Sequence, residues 1–386
     1  MKRKVAIVVT ARASYAKYKS LLHYLNKDKN CDLMIVAAAS MNSVKFGLAS
    51  EIIEKDGFTV HYRIETLIEN DSLLGSTKTS SNTLNDCAFI FSVEKPDVVV
   101  VMGDRYEVLP VSMAATYQNI PLAHIQGGEI TGNIDEKVRH AITKLADYHF
   151  VSNSDAYKNV LQLGEKEDVI FNVGCPSIDV AKSAVEEEFE IDFEDFVGVG
   201  HQIKLNEDFN IVMFHPETER IKKIKENTIS LCEAIKKTKI QTIWFWPNSD
   251  PGNEIITKVI RSYREKKNLD NCFFIKSLPP IVFLKLLSKC SCLIGNSSAG
   301  IRESNFLGTP TINLGIRQSG RLQGENVTNF NFSSDKNLSY IILDSMKKNF
   351  KSGKLYGGGN AGQKIGKKLM KEKLFFTKKF ISRNLK

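Results

Sequence analysis

No apolar run in the 386 residues approaches the roughly 18–20 that a membrane span needs, so no spanning helix is expected. The N-terminus, MKRKVAIVVTARASYAK, is basic and then apolar, as in a signal peptide. Its apolar stretch is only about six residues before Arg12, too short for a secretory signal core and long enough for a first β-strand. No CxxC pair occurs, the seven cysteines are scattered and odd in number, and Cys290 and Cys292 are too close for a standard metal clamp. Free thiols in a reducing cytoplasm, with no zinc site and no metal, are the expectation. Proline- or serine-rich tracts, low-complexity segments and short-period repeats are all missing, which argues against linker arrays, solenoids and disorder. Neither a Walker loop nor GxGxxG is found, so ATP hydrolysis and NAD chemistry lose support, and no cofactor is expected.

What is present is an ordinary globular composition, 42% apolar and 25% charged. The length exceeds what one hydrophobic core usually organises, so two domains are expected. The formal charge of +9 is concentrated near the C-terminus, GKKLMKEKLFFTKKFISRNLK. A nucleic-acid arm is one reading of that segment. The spacing of Leu369, Leu374, Phe375, Phe376, Phe380 and Ile381 favours another, an amphipathic helix with its lysines outside.

Short, β-branched, nearly all-apolar runs stand at 5–10, 33–38, 98–102, 211–214, 243–246, 292–294 and 311–314. Strands apolar on both faces belong to parallel sheets covered by helices. Helix-period segments, such as 82–94 and 227–237, lie between them, which gives a doubly wound α/β class. Between about 176 and 206 the chain turns acidic and then irregular, marking a boundary. We therefore expect two Rossmann-like domains, over 1–180 and 206–365, with a central cleft, and a C-terminal helix over 366–386.

In such sheets ligands bind outside the carboxyl ends of the strands. Polar clusters follow the apolar runs in the expected places. Arg12, Ser14, Tyr15 and Lys17 follow the first run. Asp104, Arg105 and Glu107 follow VVVVM. After PLAHI comes QGGEITGNIDEKVRH, with Glu129, Asp135, Glu136, Arg139 and His140. In the second half stand His215 of FHPETER, Asn248 and Asp250 of WPNSDPGNE, and Ser297, Ser298 and Glu303 of GNSSAGIRE. The last segment reads as a strand end, a Gly/Ser turn and the first turn of a helix, where free N–H groups and the helix dipole favour a phosphate. Glu303, one turn on, suits the hydroxyls of a ribose, although a Ser-capped helix is equally compatible with the motif. Arg317 and Arg321 have the reach for a diphosphate. Arg139 and His140 are read as helix residues that hold the loop.

Together these residues resemble the hydrolysing UDP-N-acetylglucosamine 2-epimerases of sialic-acid and related nonulosonate pathways. The matching stretches are TARASYAK, VVVMGDRYE, HIQGGEITGNIDEKVRHAITKLAD, MFHPET, WPNSD and GNSSAGIRESNFLGTPTINLGIRQSGRLQGENV. The resemblance implies two Rossmann-like domains of the glycosyltransferase-B type, with the site in the cleft and a C-terminal helix packed back on the first domain. It places catalytic roles on Asp104, Asp135 and His215. It places UDP on Ser297, Ser298, Glu303 and Arg317, with Arg12 near the diphosphate and Asn248 among the substrate contacts. Two departures touch the sugar end. Gln126 stands where some relatives carry a glutamate; it is kept among the candidate catalytic residues as a group that can orient a hydroxyl, although it cannot accept a proton. Ser14 stands where many relatives have an acid. Acid–base work would then pass to Asp104, Glu129, Asp135 or His215, or the substrate would differ.

The reaction implied is elimination of UDP and hydration of a glycal to a free 2-epimer such as N-acetylmannosamine. A UDP-diacetamido-trideoxy sugar is an alternative substrate. A glycosyltransferase of the same fold and a non-catalytic UDP-sugar sensor are alternative functions. The expected partners are a UDP-sugar and further copies of the chain, as a homodimer or homotetramer, with neither nucleic acid nor membrane.

Overall fold

A computed structural model describes residues 2–69, 72–131, 134–193, 196–247, 252–334, 336–376 and 378–382. The chain divides into two units. One comprises residues 1–179 together with 356–386, and the other comprises residues 180–355.

The first unit is built on seven parallel strands: β1 (Arg3–Val9), β2 (Cys31–Ala38), β3 (Tyr62–Ile64), β4 (Val98–Met102), β5 (Leu122–Ile125), β6 (Tyr148–Val151) and β7 (Ile170–Asn172). Their order is β3-β2-β1-β4-β5-β6-β7. Every residue of β4, β5 and β6 is buried. This is the consequence of Val, Ile and Ala on both faces of a sheet with helices on either side. The helix Arg12–Lys27 buries Tyr15, Tyr18, Leu21, Leu22 and Leu25, which recur at helical spacing. Its other side receives the helix Ala361–Lys371, whose Gly362 and Gly366 lie against Ser20 and Tyr24. The Asp179 carboxylate accepts from the Ala361 and Gly362 amides at 2.8 Å each, and so caps that helix from another element.

The C-terminal helix therefore differs from the expected one. It ends at Lys371, and the described residues beyond Glu372 are not helical. Local partners replace the helix there. Tyr148 Oη donates to the Lys373 carbonyl (3.0 Å) and accepts from the Phe375 amide (2.7 Å). The Ile381 amide donates to the Gly164 carbonyl at 2.9 Å.

The second unit repeats the plan with β8 (Gly198–Gly200), β9 (Phe209–Met213), β10 (Gln241–Phe245), β11 (Cys272–Ile275), β12 (Cys292–Gly295), β13 (Thr311–Leu314) and β14 (Val327–Phe330). The order is β14-β13-β12-β9-β10-β11-β8, with only β8 antiparallel to its neighbour. Both units are thus Rossmann-like and doubly wound. In each, the strand order reverses at a central pair, β1 with β4 and β9 with β12. The carboxyl ends of those pairs are the switch points, where loops to opposite faces part and leave room for a ligand.

Candidate active site

In the first unit Arg12 begins the helix after β1 and is exposed, while Asp104 follows β4. The two flank the switch point. The Asp104 carboxylate is paired with the guanidinium of Arg139, which is only 2% exposed. Arg139 Nη1 also donates to the Glu129 carbonyl (2.6 Å) and to Thr131 Oγ1 (3.2 Å). A guanidinium cannot shed its charge, so its burial requires acceptors of this kind. One buried cation thereby fixes the GDR turn and the GGEIT loop together. The loop has a second tie through Glu136, whose carboxylate accepts from the Thr131 amide at 2.6 Å. Asp135 lies beside it, half-buried in the first turn of the helix Ile134–Leu145, where the dipole favours an anion.

The backbone before Glu129 is equally constrained. Gly128 has φ +81°, and a Cβ there would stand 2.4 Å from the Ala156 carbonyl oxygen, so no side chain fits. Asn159 donates to the Gly128 carbonyl at 2.8 Å. Gln126 has φ +68°, a left-handed conformation that is costly for a residue with a Cβ. Its Nε2 donates to Cys175 Sγ at 2.9 Å. The structure thus sets Gln126 against a thiol rather than a carboxylate. The buried Glu129 shares its loop but reaches Arg139 through its main chain.

His124 acts on the same turn from below. Its Nε2 lies 2.9 Å from the Gly103 carbonyl and its Nδ1 3.1 Å from Thr143 Oγ1. A carbonyl only accepts, so the neutral ring carries its proton on Nε2. Burial drives the pKa of this fully buried ring down to about 3. His124 is therefore a neutral strut beneath Asp104. His140 is half-buried on the helix Ile134–Leu145, 3.8 Å from Glu136, and burial lowers its pKa as well.

In the second unit the switch point is closed by Asn296, which is fully buried. Its Oδ1 accepts from the His215 amide (2.8 Å) and its Nδ2 donates to the His215 carbonyl (2.9 Å). The side chain thus imitates a strand neighbour and locks the end of β9 to the end of β12. The Asn296 carbonyl accepts from Arg317 Nη1 (3.3 Å) and Gln318 Nε2 (2.9 Å), bringing in the loop after β13. Glu217, 7% exposed, completes the frame: its Oε1 accepts from the Ile316 and Arg317 amides at 2.6 and 3.2 Å. A Cβ on Gly315 would stand 2.2 Å from that oxygen, so only glycine admits the carboxylate.

His215 is 9% exposed, and burial, followed by the nearby Arg317, lowers its pKa to about 3. At neutral pH its ring is uncharged. Ser297 and Ser298 are half-buried at the end of β12, and Ser297 Oγ accepts from the Ala299 amide at 3.4 Å. The expected helix after them is a 3₁₀ turn, Ser298–Gly300, followed by a helix of only five residues, Glu303–Leu307. A short helix has a weak dipole, and the amides of Ala299, Gly300, Ile301 and Arg302 already donate within the turn, so the groups here suited to an anion are the hydroxyls and arginines. Glu303 Oε2 is buried and has no hydrogen-bond partner among the described residues. Asn248 and Asp250 lie outside the described residues.

Inside each unit the structure thus gathers the sequence-derived residues. Asp104, Gln126, Glu129, Asp135 and Arg12 lie along the carboxyl edge of the first sheet. His215, Ser297, Ser298, Glu303 and Arg317 lie along that of the second. Asn296, Glu217, His124 and Cys175 were missed. The only signal for Asn296 was its place between Gly295 and Ser297, and for Glu217 its place two residues after His215.

Among the described residues no His, Cys, Asp or Glu cluster is disposed to hold a metal ion. Among the same residues no helix is long and apolar enough to cross a membrane. The UDP-N-acetylglucosamine 2-epimerase family model matches residues 23–370. The chain is similar to the GDP/UDP-N,N'-diacetylbacillosamine 2-epimerase (hydrolyzing) of Campylobacter jejuni, at 34% identity over 328 residues and 84% of each chain. It is also similar to the UDP-N,N'-diacetylbacillosamine 2-epimerase (hydrolyzing) of Legionella pneumophila, at 30% identity over 364 residues and 94% of each chain. Among solved structures it shares the fold of the UDP-GlcNAc 2-epimerase of Neisseria meningitidis bound to UDP-GlcNAc. That match has a TM-score of 0.78 and 20% identity, over 96% of this chain and 100% of the other. The chain belongs to the UDP-N-acetylglucosamine 2-epimerase family.

Proposed function

We propose that the chain is a hydrolysing 2-epimerase that converts a UDP-linked 2-acetamido sugar into UDP and the free 2-epimer. UDP-N,N'-diacetylbacillosamine is the first substrate to test, because relatives at 30–34% identity are named for it, and UDP-N-acetylglucosamine is the second. The observation that carries the reading is the Asp104–Arg139 pair, an acid–base group of fixed orientation at a switch point in a chain of this family.

The chemistry asks for two kinds of group. The C2–H of the sugar is weakly acidic, so its removal is coupled to departure of UDP. A carboxylate takes the proton from C2, the C–H electrons form the C1–C2 double bond, and the C1–O bond breaks with its electrons leaving on UDP. Water then adds across the glycal: hydroxyl goes to C1, and a proton goes to C2 from the opposite face. Asp104, Asp135 and Glu129 are the candidates for these transfers. The departing diphosphate needs donors and cations. In the second unit His215, Arg317 and the Ser297–Ser298 turn are the candidates for that need, and Glu303 with its unbonded oxygen suits the ribose hydroxyls; in the first unit the candidate cation is Arg12. His215, neutral when free, donates a hydrogen bond and becomes a competent acid only when the diphosphate raises its pKa.

The test is incubation with each UDP-sugar in D2O, without an acceptor. UDP release with a free 2-epimer carrying deuterium at C2 is expected. Release without deuterium would point to simple hydrolysis. Interconversion of UDP-sugars with no UDP released would assign the non-hydrolysing reaction. Binding with no turnover of either sugar would leave a sensor.

A further inference from the structure

Gln126 is the residue by which this chain departs most plainly from the acid expected at its position, and the structure shows what holds it. Its amide donates to the Phe150 carbonyl at 2.9 Å, and its backbone is left-handed at φ +68°. Its side chain is almost wholly buried, yet the carboxamide makes one protein contact among the described residues, from Nε2 to Cys175 Sγ. Cys175, fully buried, follows β7 and opens the turn into the helix Pro176–Glu186. Its sulfur also lies 2.9 Å from Ser177 Oγ, and its amide donates to the Tyr356 carbonyl at 2.7 Å. The thiol is therefore held by its main chain and by Ser177.

A carboxamide has a donor end and an acceptor end, and turning it over reverses what a ligand meets. The Cys175–Ser177 contact admits either atom as donor; when the S–H goes to Ser177 Oγ, the Cys175 sulfur has only lone pairs to offer Gln126, which matches the Nε2 that faces it. The sulfur takes Nε2 and leaves Oε1 for a partner outside the protein. We propose that Cys175 is a positioning residue. It fixes the Gln126 carboxamide so that its oxygen is presented as an acceptor to an N–H or O–H donor of the sugar, such as an acetamido N–H. The proposal rests on the epimerase reading for the identity of the ligand as a UDP-sugar. It assigns Gln126 a recognition role in place of proton transfer.

A double-mutant cycle tests it, with Cys175→Ala, Gln126→Ala and the pair. Calorimetry supplies dissociation constants for UDP and the UDP-sugar, and UDP release supplies kcat/KM. Cys175→Ala is expected to lower kcat/KM about tenfold, the scale of one hydrogen bond, with UDP affinity unchanged. On the Gln126→Ala background the same substitution should do nothing more. Cys175→Ser, which keeps an acceptor, should recover part of the loss. If the alanine variant melts below the assay temperature, Cys175→Val, which fills the site but offers no acceptor, takes its place in the cycle. Additive losses, equal weakening of UDP and UDP-sugar, or an unaffected Cys175→Ala enzyme would each overturn the proposal. If the parent chain releases no UDP, the epimerase reading fails on its own. The cycle on UDP-sugar dissociation constants still decides the role of Cys175.

Discussion

Asp104 and His215 are built in contrasting ways, and their substitutions separate chemistry from folding. Asp104 leans on a buried cation that has two other acceptors, the Glu129 carbonyl and Thr131 Oγ1. Asp104→Asn keeps the shape and removes the charge. Arg139 stays bonded, so the fold should lose only about 1–3 kcal/mol, while loss of a proton-transfer group should cut turnover by about 10²–10⁴. Initial rates of UDP release and a melting curve check both numbers, and a near-normal rate would remove Asp104 from the chemistry. In His215→Ala the amide and carbonyl remain clamped by Asn296, so the strand end should persist. Turnover should drop by orders of magnitude with an unchanged circular dichroism spectrum. Asp104 and His215 were legible because each follows an apolar run. The residues that hold them were not. Asn296 meets His215 across 81 positions of sequence, and Glu217 meets Ile316 across 99. A side chain that bonds distant main chain leaves no local pattern to read.

At the scale of elements, β1, β2, β4, β9, β10, β12 and β13 were legible from their apolar runs, whereas the buried β6 and β11 and the edge strands β3, β8 and β14 were not. These edge strands are three or four residues long and largely open to solvent, so they carry no continuous apolar signature. The C-terminal segment was misread for a related reason. Phe375 and Phe380 recur near helical spacing but are 53% and 70% exposed, so no buried face draws them into a helix. The segment instead supplies Lys378, whose Nζ donates to the carbonyls of Thr143 (3.0 Å), Lys144 (2.7 Å) and Ala146 (2.7 Å). These are orphan acceptors at the end of the helix Ile134–Leu145, the helix that carries Asp135 and Arg139. Lys378 also meets Glu165 at 2.8 Å, where Lys144 and His149 converge on the same carboxylate. Lys378→Ala strips the helix end of its cap, while Glu165 keeps two partners. The expected cost is about 1–3 kcal/mol, seen in calorimetry as a midpoint lower by a few degrees. An unchanged midpoint would mean that the tail merely rests on the helix.

For the whole molecule the buried imidazoles decide how stability depends on pH. His124 in the first unit and His215 in the second each have a pKa of about 3 in the folded chain against 6.5 when unfolded, and burial lowers that of His149 in the first unit as well. The folded pKa is depressed and the protonated form is the charged one, so between pH 6.5 and 3 the unfolded chain binds protons that the native chain refuses. Stability is full above pH 6.5 and falls as acid is added, by on the order of 1.4 kcal/mol per pH unit for each ring. Glu165, held down to about 2 against the burial that opposes it by bonds from His149, Lys144 and Lys378, adds its own loss only below about pH 4.5. Denaturant unfolding at pH 7, 6 and 5 should therefore show a steep decline that His124→Asn and His215→Ala each reduce. UDP makes the prediction specific to the second unit. A diphosphate beside His215 favours the protonated ring and raises its folded pKa, so the native chain then takes up the proton as well. With saturating UDP the decline between pH 6.5 and 5 should flatten by about one histidine's share, and His215→Ala should abolish that flattening. A decline equally steep with and without UDP would place the diphosphate away from His215 and remove this residue from the leaving-group end of the reaction.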